Sequence, residues 1–330
     1  MQVREKNGLV FSAGASNELS VDASGLRGKN ALITHAHSDH AKPSSSNTYF
    51  CTPETVSLIG SGSKSSVMKG IPFKKKFLVN GFECCFHSSG HILGSAQVEI
   101  CNGSQAVLTS DLRLQKSVLF EGAEILPSET LVIETTFGSP EFVFPEREKV
   151  YEQIIRWAHF NLRENRFLVL GGYSTGKAQE LTKIVNEFLG ETPLVFKKIA
   201  EQNRVYEKHG VKLGPFFESD HNLRDSNVLI MPPHLIDDYL LLTLEHQLGK
   251  KVEAAIATGW KGFGHYKTFP LSDHADFNGL LHYVKESSPK LVLTTHGFKE
   301  QFARAVQRKL GIQARPLQGK GQKTLGEFSA

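Results

Sequence analysis

Cysteine and long apolar runs are scarce in this sequence. Its 330 residues include four cysteines, Cys51, Cys84, Cys85 and Cys101, and none of them forms a CxxC pair. We interpret them as small buried apolar residues. No stretch offers the roughly 18 apolar residues of a membrane span, and the first residues lack the apolar core of a signal peptide. We therefore expect a cytoplasmic protein without a membrane anchor.

An excess of charge of either sign is also missing. Lys and Arg number 38 against 34 Asp and Glu, which gives a net charge of +4. That balance permits a polyanionic partner without requiring one. With 40% hydrophobic and 22% charged residues, the composition is typical of a folded protein. The chain is long enough for one large domain or for a domain with an insertion.

The chain changes character near Pro145. From residue 9 to 133, short β-rich runs alternate with Gly, Ser, Asn and Pro, which predicts a sheet-dominated segment. After Pro145, apolar residues recur at helical spacing, and the strand 166–170, a glycine-rich loop and a helix over 177–189 form a doubly wound unit. We predict an α/β protein in which a small parallel α/β lobe spans residues 146–258.

The strongest chemical signal is a histidine-rich turn that follows the apolar strand 31–34. It contains three imidazoles and one carboxylate within six residues: His35, His37, Asp39 and His40. These groups supply the nitrogen and oxygen ligands that divalent metals prefer, and clustering them for packing alone would be costly. Loops at strand ends are also where sites are commonly built. The turn therefore predicts a metal site.

The HxHxDH pattern of this turn resembles the signature of the metallo-β-lactamase superfamily. In the same order as in that family, Asp22 matches an aspartate that orients the histidine loop, His91 a third metal-binding histidine, and Asp111 the aspartate that bridges two metals. The resemblance implies one zinc held by His35, His37, His91 and Asp111, and a second held by Asp39, His40 and Asp111. Such a mixed ligand set would also accept Mn²⁺.

Three further motifs resemble those of the β-CASP nucleases in this superfamily. They are residues 131–138 (LVIETTFG), 272–276 (SDHAD) and 294–297 (TTHG). The resemblance implies that His296 completes the second metal shell and that His274 is the general acid, with Glu134 bonded to it. Asp39 is expected to serve in catalysis as well as in metal binding. The implied fold is an αββα sandwich, residues 1–145 and 259–330, with an inserted β-CASP cap domain, residues 146–258.

The loop at 171–178 permits two interpretations. Its GxxxxGK spacing satisfies part of a P-loop, but Ala178 stands where a magnesium-binding hydroxyl is needed, which disfavours ATP binding. The stretch GKAQE also resembles a β-CASP motif. We favour a phosphate-binding loop for nucleic acid, formed by Ser174, Thr175, Gly176 and Lys177.

Together these motifs predict a two-metal phosphodiesterase that hydrolyses single-stranded DNA or RNA. The compact size and the segment THAHSDHAKP are most similar to bacterial exonucleases associated with DNA ligase, which implies a DNA ligase and a helicase as partners. An RNA-processing endo- or exonuclease is the first alternative. A thioester or lactam hydrolase and a non-catalytic scaffold are the others. The choice of DNA or RNA and the polarity of cleavage stay open.

Overall fold

The computed structural model describes residues 1–14, 17–60, 67–218, 220 and 222–317. The chain forms two compact units. The first comprises Met1–Leu114, Gly122–Val143 and the chain from His274 onward, and the second comprises Gln115–Glu121 and Phe144–Asp273. The lobe predicted over 146–258 lies within the second unit, whereas the boundaries at 145/146 and 258/259 stay predictions. Residues 318–330, the end of the predicted αββα sandwich, lie outside the described residues.

The first unit contains a six-stranded sheet at its amino-terminal end. Its strands occur in sequence order, β1 to β3 antiparallel and β3 to β6 parallel. They are β1 (Gln2–Glu5), β2 (Leu9–Ala13), β3 (Asn17–Val21), β4 (Asn30–Leu32), β5 (Thr48–Cys51) and β6 (Met68–Gly70). Helix α1 (Pro53–Ile59) begins after Thr52, whose side chain accepts a hydrogen bond from the amide of Thr55.

A seven-stranded sheet completes the strands of the first unit. Its order is β19-β18-β11-β10-β9-β8-β7, antiparallel from β7 to β10 and parallel from β10 to β19. The strands are β7 (Lys76–Val79), β8 (Phe82–Ser88), β9 (Ala96–Cys101), β10 (Gln105–Leu108), β11 (Thr130–Glu134), β18 (Leu291–Thr295) and β19 (Gln313–Pro316). Helices α6 (Phe277–Ser287) and α7 (Lys299–Leu310) accompany them.

Three apolar clusters arrange these elements in layers. The two sheets share one core, in which Phe11 and Leu19 of the first sheet pack with Phe86 and Val98 of the second. Helix α1 covers the outer face of the first sheet, and α6 and α7 cover the outer face of the second. The result is an αββα sandwich, because each sheet buries one face against its partner and the other against helices.

The second unit is built on a six-stranded sheet in which every pairing is parallel. The order is β14-β13-β15-β12-β16-β17. The strands are β12 (Phe167–Gly171), β13 (Leu194–Val195), β14 (Phe217–Glu218), β15 (Val228–Met231), β16 (Val252–Ala257) and β17 (Lys267–Phe269). The helices are α2 (Arg147–Arg163), α3 (Lys177–Ile184, continued by a π-helical turn at Val185–Leu189), α4 (Lys197–Lys208) and α5 (Asp238–Leu248).

Helices cover both faces of this parallel sheet. One face packs against α2, α3 and α4, and the opposite face packs against α5. The strands are consequently buried on both sides, as the continuous apolar runs of β12 and β15 require. The α/β fold class, with an αββα sandwich interrupted by a small parallel α/β unit, is confirmed. None of the helices in the described part of the chain has the length and apolar character of a bilayer span.

Candidate metal centre

The histidine turn is fixed by Asp22, the residue that follows β3. Asp22 has a left-handed backbone, with φ of 51°, and its carboxylate accepts three hydrogen bonds. Its donors are the amide of Thr34 at 2.8 Å, the hydroxyl of Thr34 at 2.6 Å and Nδ1 of His40 at 2.8 Å. The bonds join the start and the end of the turn to one carboxylate, so Asp22 determines where the imidazoles of the turn lie.

Four predicted ligands of the first cation converge. His35, His37, His91 and Asp111 each offer a ligand atom, and these atoms all lie within 4.8 Å of one another. Oδ2 of Asp111 is 3.4 Å from Nε2 of His35 and 3.5 Å from Nε2 of His91. Nε2 of His35 is buried and has no hydrogen-bond partner among the described residues. A divalent cation fits here, because it would satisfy this nitrogen and neutralise the carboxylate.

A second group of side chains lies around His40. Its Nε2 is 3.7 Å from Oδ1 of Asp111 and 3.7 Å from Oδ2 of Asp39. The ring of His296 stacks on that of His40, with 5.5 Å between centroids. Asp111 therefore presents one oxygen to each group, which is the arrangement that a bridging ligand needs. Asp39 is the least enclosed of these residues, with 62% of its side chain exposed.

Three of the site residues come from the carboxyl ends of adjacent parallel strands. Glu134 is the last residue of β11, His296 follows β18 directly, and Asp111 follows β10 after two residues. Since β10, β11 and β18 are neighbours, their ends meet at one edge of the sheet. The loop between β8 and β9 adds His91. Residues that are far apart in sequence thus meet because of the sheet order.

The predicted acid and its partner form a hydrogen-bonded pair. Oε1 of the buried Glu134 accepts from Nδ1 of His274 at 3.0 Å and from the amide of Leu112 at 3.2 Å. Oε2 accepts from the amide of Thr136 at 2.7 Å. The ring of His274 also lies 4.6 Å from that of His91, centroid to centroid. Two backbone donors hold the carboxylate still, so the imidazole is oriented by a rigid partner beside the metal ligands.

The charges of the site suit a cation. Burial would raise the pKa of Asp111, yet His40 and His35 hold the pKa of this carboxyl well below its usual range. Burial lowers the pKa of His296, and burial together with His274 lowers the pKa of His91 strongly. A charged carboxylate and neutral imidazoles are the protonation states in which these groups bind metals.

His40 differs from the other imidazoles. Burial alone would lower its pKa, but Asp111, Asp22 and Asp39 raise the pKa of His40 to about 10. The ring therefore carries a proton near neutrality, and a cation bound at its Nε2 would displace that proton.

The predicted phosphate loop lies in the second unit and is held from inside it. Lys177 is buried, and its Nζ is 2.8 Å from Oδ1 of Asp273. The amide of Gly176 donates to the side chain of Gln179 at 2.6 Å, while Ser174 and Thr175 are half-buried. The structure thus pairs Lys177 with a carboxylate, and the phosphate-binding role of the four loop residues stays a prediction.

Two hydroxyl groups next to the metal ligands were missed from the sequence. The Oγ1 of Thr34 and Oγ of Ser110 are 2.7 Å apart, and both approach Nδ1 of His35, at 3.1 and 3.4 Å. They tie the turn that carries His35 to the segment that carries Asp111. The signal available was their position, since each directly precedes a predicted ligand.

At its strand ends, the αββα sandwich thus gathers histidines and a shared aspartate into a candidate metal centre. Residues 265–315 match the family model described as "Zn-dependent metallo-hydrolase RNA specificity domain". The chain is 31% identical over 310 residues to a protein of Opitutus terrae named "Probable DNA ligase". The aligned region covers 90% of this chain and 30% of that protein. It is 21% identical to an "RNase J-like protein" of Methanocaldococcus jannaschii, over 48% of this chain and 43% of the relative.

A solved structure agrees with the fold. A protein of unknown function from Enterococcus faecalis V583 superposes with a TM-score of 0.63 at 14% identity, over 89% of this chain and 80% of that one. The chain spans less than half the length of the two relatives named above. These findings and the motifs support the predicted membership of the β-CASP nuclease family in the metallo-β-lactamase superfamily.

Proposed function

We propose that this protein is a two-metal nuclease that hydrolyses phosphodiester bonds, and that it acts as an exonuclease on DNA. The observation that supports the proposal best is the His274–Glu134 pair, 3.0 Å apart and next to His91 in the first unit. A departing sugar oxygen is a poor leaving group unless it is protonated. An imidazole held by a buried carboxylate beside the predicted metal ligands would supply that proton.

We infer the roles of the residues from their contacts. His35, His37, His91 and Asp111 would hold one Zn²⁺, and Asp39, His40, Asp111 and His296 a second, with Mn²⁺ as an alternative. Bound there, the two ions would activate water and neutralise charge on the phosphate. Because Glu134 accepts from Nδ1 of His274, Nε2 is the ring nitrogen that would give the proton to the leaving oxygen.

Two relatives point to different nucleic acids. DNA is supported by the Opitutus terrae protein, which is named for DNA ligation and aligns with 90% of this chain. RNA is supported by the family description, which mentions RNA specificity, and by the RNase J-like relative. We favour DNA because the ligase-named relative aligns over nearly the whole chain. A DNA ligase and a helicase are the proposed partners.

A digestion experiment tests this function. Single strands of DNA and RNA, labelled at the 5′ or the 3′ end, are incubated with the full chain and Zn²⁺ or Mn²⁺. We expect a ladder from one labelled end of DNA. His274→Ala should lower the rate at least 100-fold, in line with general-acid catalysis, while His282→Ala, an exposed histidine of α6, should leave it unchanged. Absence of cleavage of either nucleic acid with either metal would refute the proposal.

A further inference from the structure

The second unit has a topological switch point in its parallel sheet. Strands β12 and β15 are neighbours, and the amide of Gly172, just after β12, donates to the carbonyl of Met231 at the end of β15. The chain leaves β12 into α3 on one face of the sheet and leaves β15 towards α5 on the other. Loops that diverge in this way open a crevice at the carboxyl ends of the strands, where doubly wound sheets bind ligands.

Aromatic side chains are exposed at this edge, which we call the carboxyl edge: the segments directly after β12, β13, β15 and β16. Tyr173 follows β12 and is 47% exposed, and Phe196 follows β13 and is 38% exposed. Strand β15 lies between β12 and β13, so the two rings start from strands about 10 Å apart. Exposed aromatic rings offer flat faces on which nucleobases can stack.

The loop that carries Tyr173 is held by hydrogen bonds, and its other residues are buried or half-buried. Nε2 of Gln179 donates to the carbonyl of Ser174 at 3.0 Å and to Oδ1 of Asn203 in α4 at 2.9 Å. Within residues 171–176, Tyr173 is the exposed side chain, and Lys177 is buried against Asp273. A ligand that reaches this loop therefore meets the tyrosine ring, which the backbone holds in place.

Positive charge accompanies the rings. Lys197 and Lys198 directly follow Phe196, and Lys261 lies after β16; all three are exposed. Lysines beside exposed aromatic rings match a single nucleic-acid strand, which offers phosphates to the ammonium groups and bases to the rings. The alternation of rings with ammonium groups favours a nucleic-acid strand over a partner protein that buries a continuous apolar surface.

We propose that the carboxyl edge of the second unit binds a single nucleic-acid strand, with bases stacked on Tyr173 and Phe196 and phosphates near Lys197 and Lys198. The proposal rests on the proposed nuclease function and identifies a surface through which the second unit holds the substrate. Tyr173 and Phe196 are binding residues in it, and the chemistry stays with the residues of the first unit.

Equilibrium binding of two strands to the metal-loaded full chain tests the proposal. Both strands carry phosphorothioate linkages, which resist hydrolysis, and one of them is abasic. Tyr173→Ala and Phe196→Ala should each weaken binding of the base-bearing strand about tenfold and should change binding of the abasic strand less than twofold. Tyr173→Phe should retain the affinity because it keeps the ring.

Phe160→Ala is the matched control. Phe160 is 55% exposed near the end of α2, which leads to the amino end of β12 at the opposite edge of the sheet. The Phe160→Ala variant should bind both strands with the affinity of the unchanged protein. If Tyr173→Ala lost the same affinity for both strands, or kept its affinity for the base-bearing strand, the stacking proposal would be overturned. Cleavage by the unchanged protein would still support the proposed function in that case. If the unchanged protein neither binds nor cleaves any strand, the proposed function fails as well.

Discussion

At the scale of single residues, the site depends on carboxylates that are each shared by several groups. Asp111 presents one oxygen to His35 and His91 and the other to His40. Asp22 accepts from Thr34 and from His40. A shared carboxylate fixes several imidazoles together, so its loss affects the whole ligand set and not one bond.

Asp22→Asn tests this dependence. The amide keeps the size of the side chain but loses its charge and one acceptor, so the turn should hold its imidazoles less firmly. We expect metal affinity to fall about 10- to 100-fold, measured by competition with a chromogenic chelator. Glu18→Gln, a partly exposed acid on β3, is the control and should bind metal normally. Unchanged affinity in Asp22→Asn would show that the turn is positioned by other contacts.

The residues of the site differed in how far sequence could predict them. His35, His37 and His40 lie within six residues of one another, so their spacing alone indicated a metal site. Asp111, Glu134 and His296 were placed by resemblance, and their proximity depends on the neighbouring positions of β10, β11 and β18. Burial of Lys177 was not predicted, because its partner Asp273 is nearly a hundred residues away in sequence. Pairings of that kind follow from tertiary structure and leave no periodic pattern.

At the scale of elements, the turn after β18 is constrained by its own backbone conformation and by the neighbouring segment at Thr135. His296 and Gly297 both have left-handed backbones, with φ of 57° and 51°. A Cβ on Gly297 would lie 2.3 Å from the carbonyl oxygen of Thr135. The turn therefore requires glycine both for its conformation and for the close approach of the two chain segments.

Gly297→Ala and Gly311→Ala separate these two requirements. Gly311 ends α7 with φ of 68°, and a Cβ there would have no atom of the described residues within 4 Å. We expect Gly311→Ala to cost about 1 kcal/mol from backbone strain alone. Gly297→Ala should lower the free energy of unfolding several times more. It should also weaken metal retention, because His296 moves with the turn. Thermal unfolding and metal content after dialysis measure the two effects; equal losses in both variants would contradict the steric argument.

A buried ion network joins elements of the second unit. Nε of Arg147 at the start of α2 donates to Oε1 of Glu180 in α3 at 2.7 Å, and the hydroxyl of Tyr151 donates to the same carboxylate. Burial would raise the pKa of Glu180, but the guanidinium of Arg147 holds it below its usual value. Loss of Glu180 would leave Asp273, 3.3 Å from Arg147, as the remaining carboxylate beside this buried guanidinium. Weakening a buried charge network in this way is more costly than losing an exposed pair.

Glu180→Gln should therefore destabilise the second unit by about 3–5 kcal/mol. Glu152→Gln, which removes an exposed partner 3.9 Å from Arg156 in α2, should cost under about 0.5 kcal/mol. Because the folded-state pKa of Glu180 is lowered, its contribution is complete above the ordinary pKa and is lost as pH falls through the lowered value. The difference in the free energy of unfolding between Glu180→Gln and the unchanged protein should therefore become smaller in acid. Denaturation at several pH values measures it, and a constant difference would contradict this account.

At the scale of the whole molecule, the predicted metal ligands and the proposed strand-binding edge belong to different units. Every predicted metal ligand lies in the first unit, in Met1–Leu114 or beyond His274. The second unit has two apolar clusters of its own, one on each face of its parallel sheet. Since each unit has a separate core, a ligand that binds one of them should stabilise that unit directly.

Removal of the metal should therefore destabilise the first unit more than the second. A cation present at 100 times its dissociation constant contributes about 2.7 kcal/mol to the state that binds it. Hydrogen exchange with and without a chelator should show lost protection in peptides from the histidine turn and from the ends of β10, β11 and β18. Peptides from β12 and β15 should exchange as before, because their amides are bonded within the second unit. If protection falls equally in β12 and β15, the two units unfold as one, and the metal stabilises the whole chain instead of the sandwich that binds it.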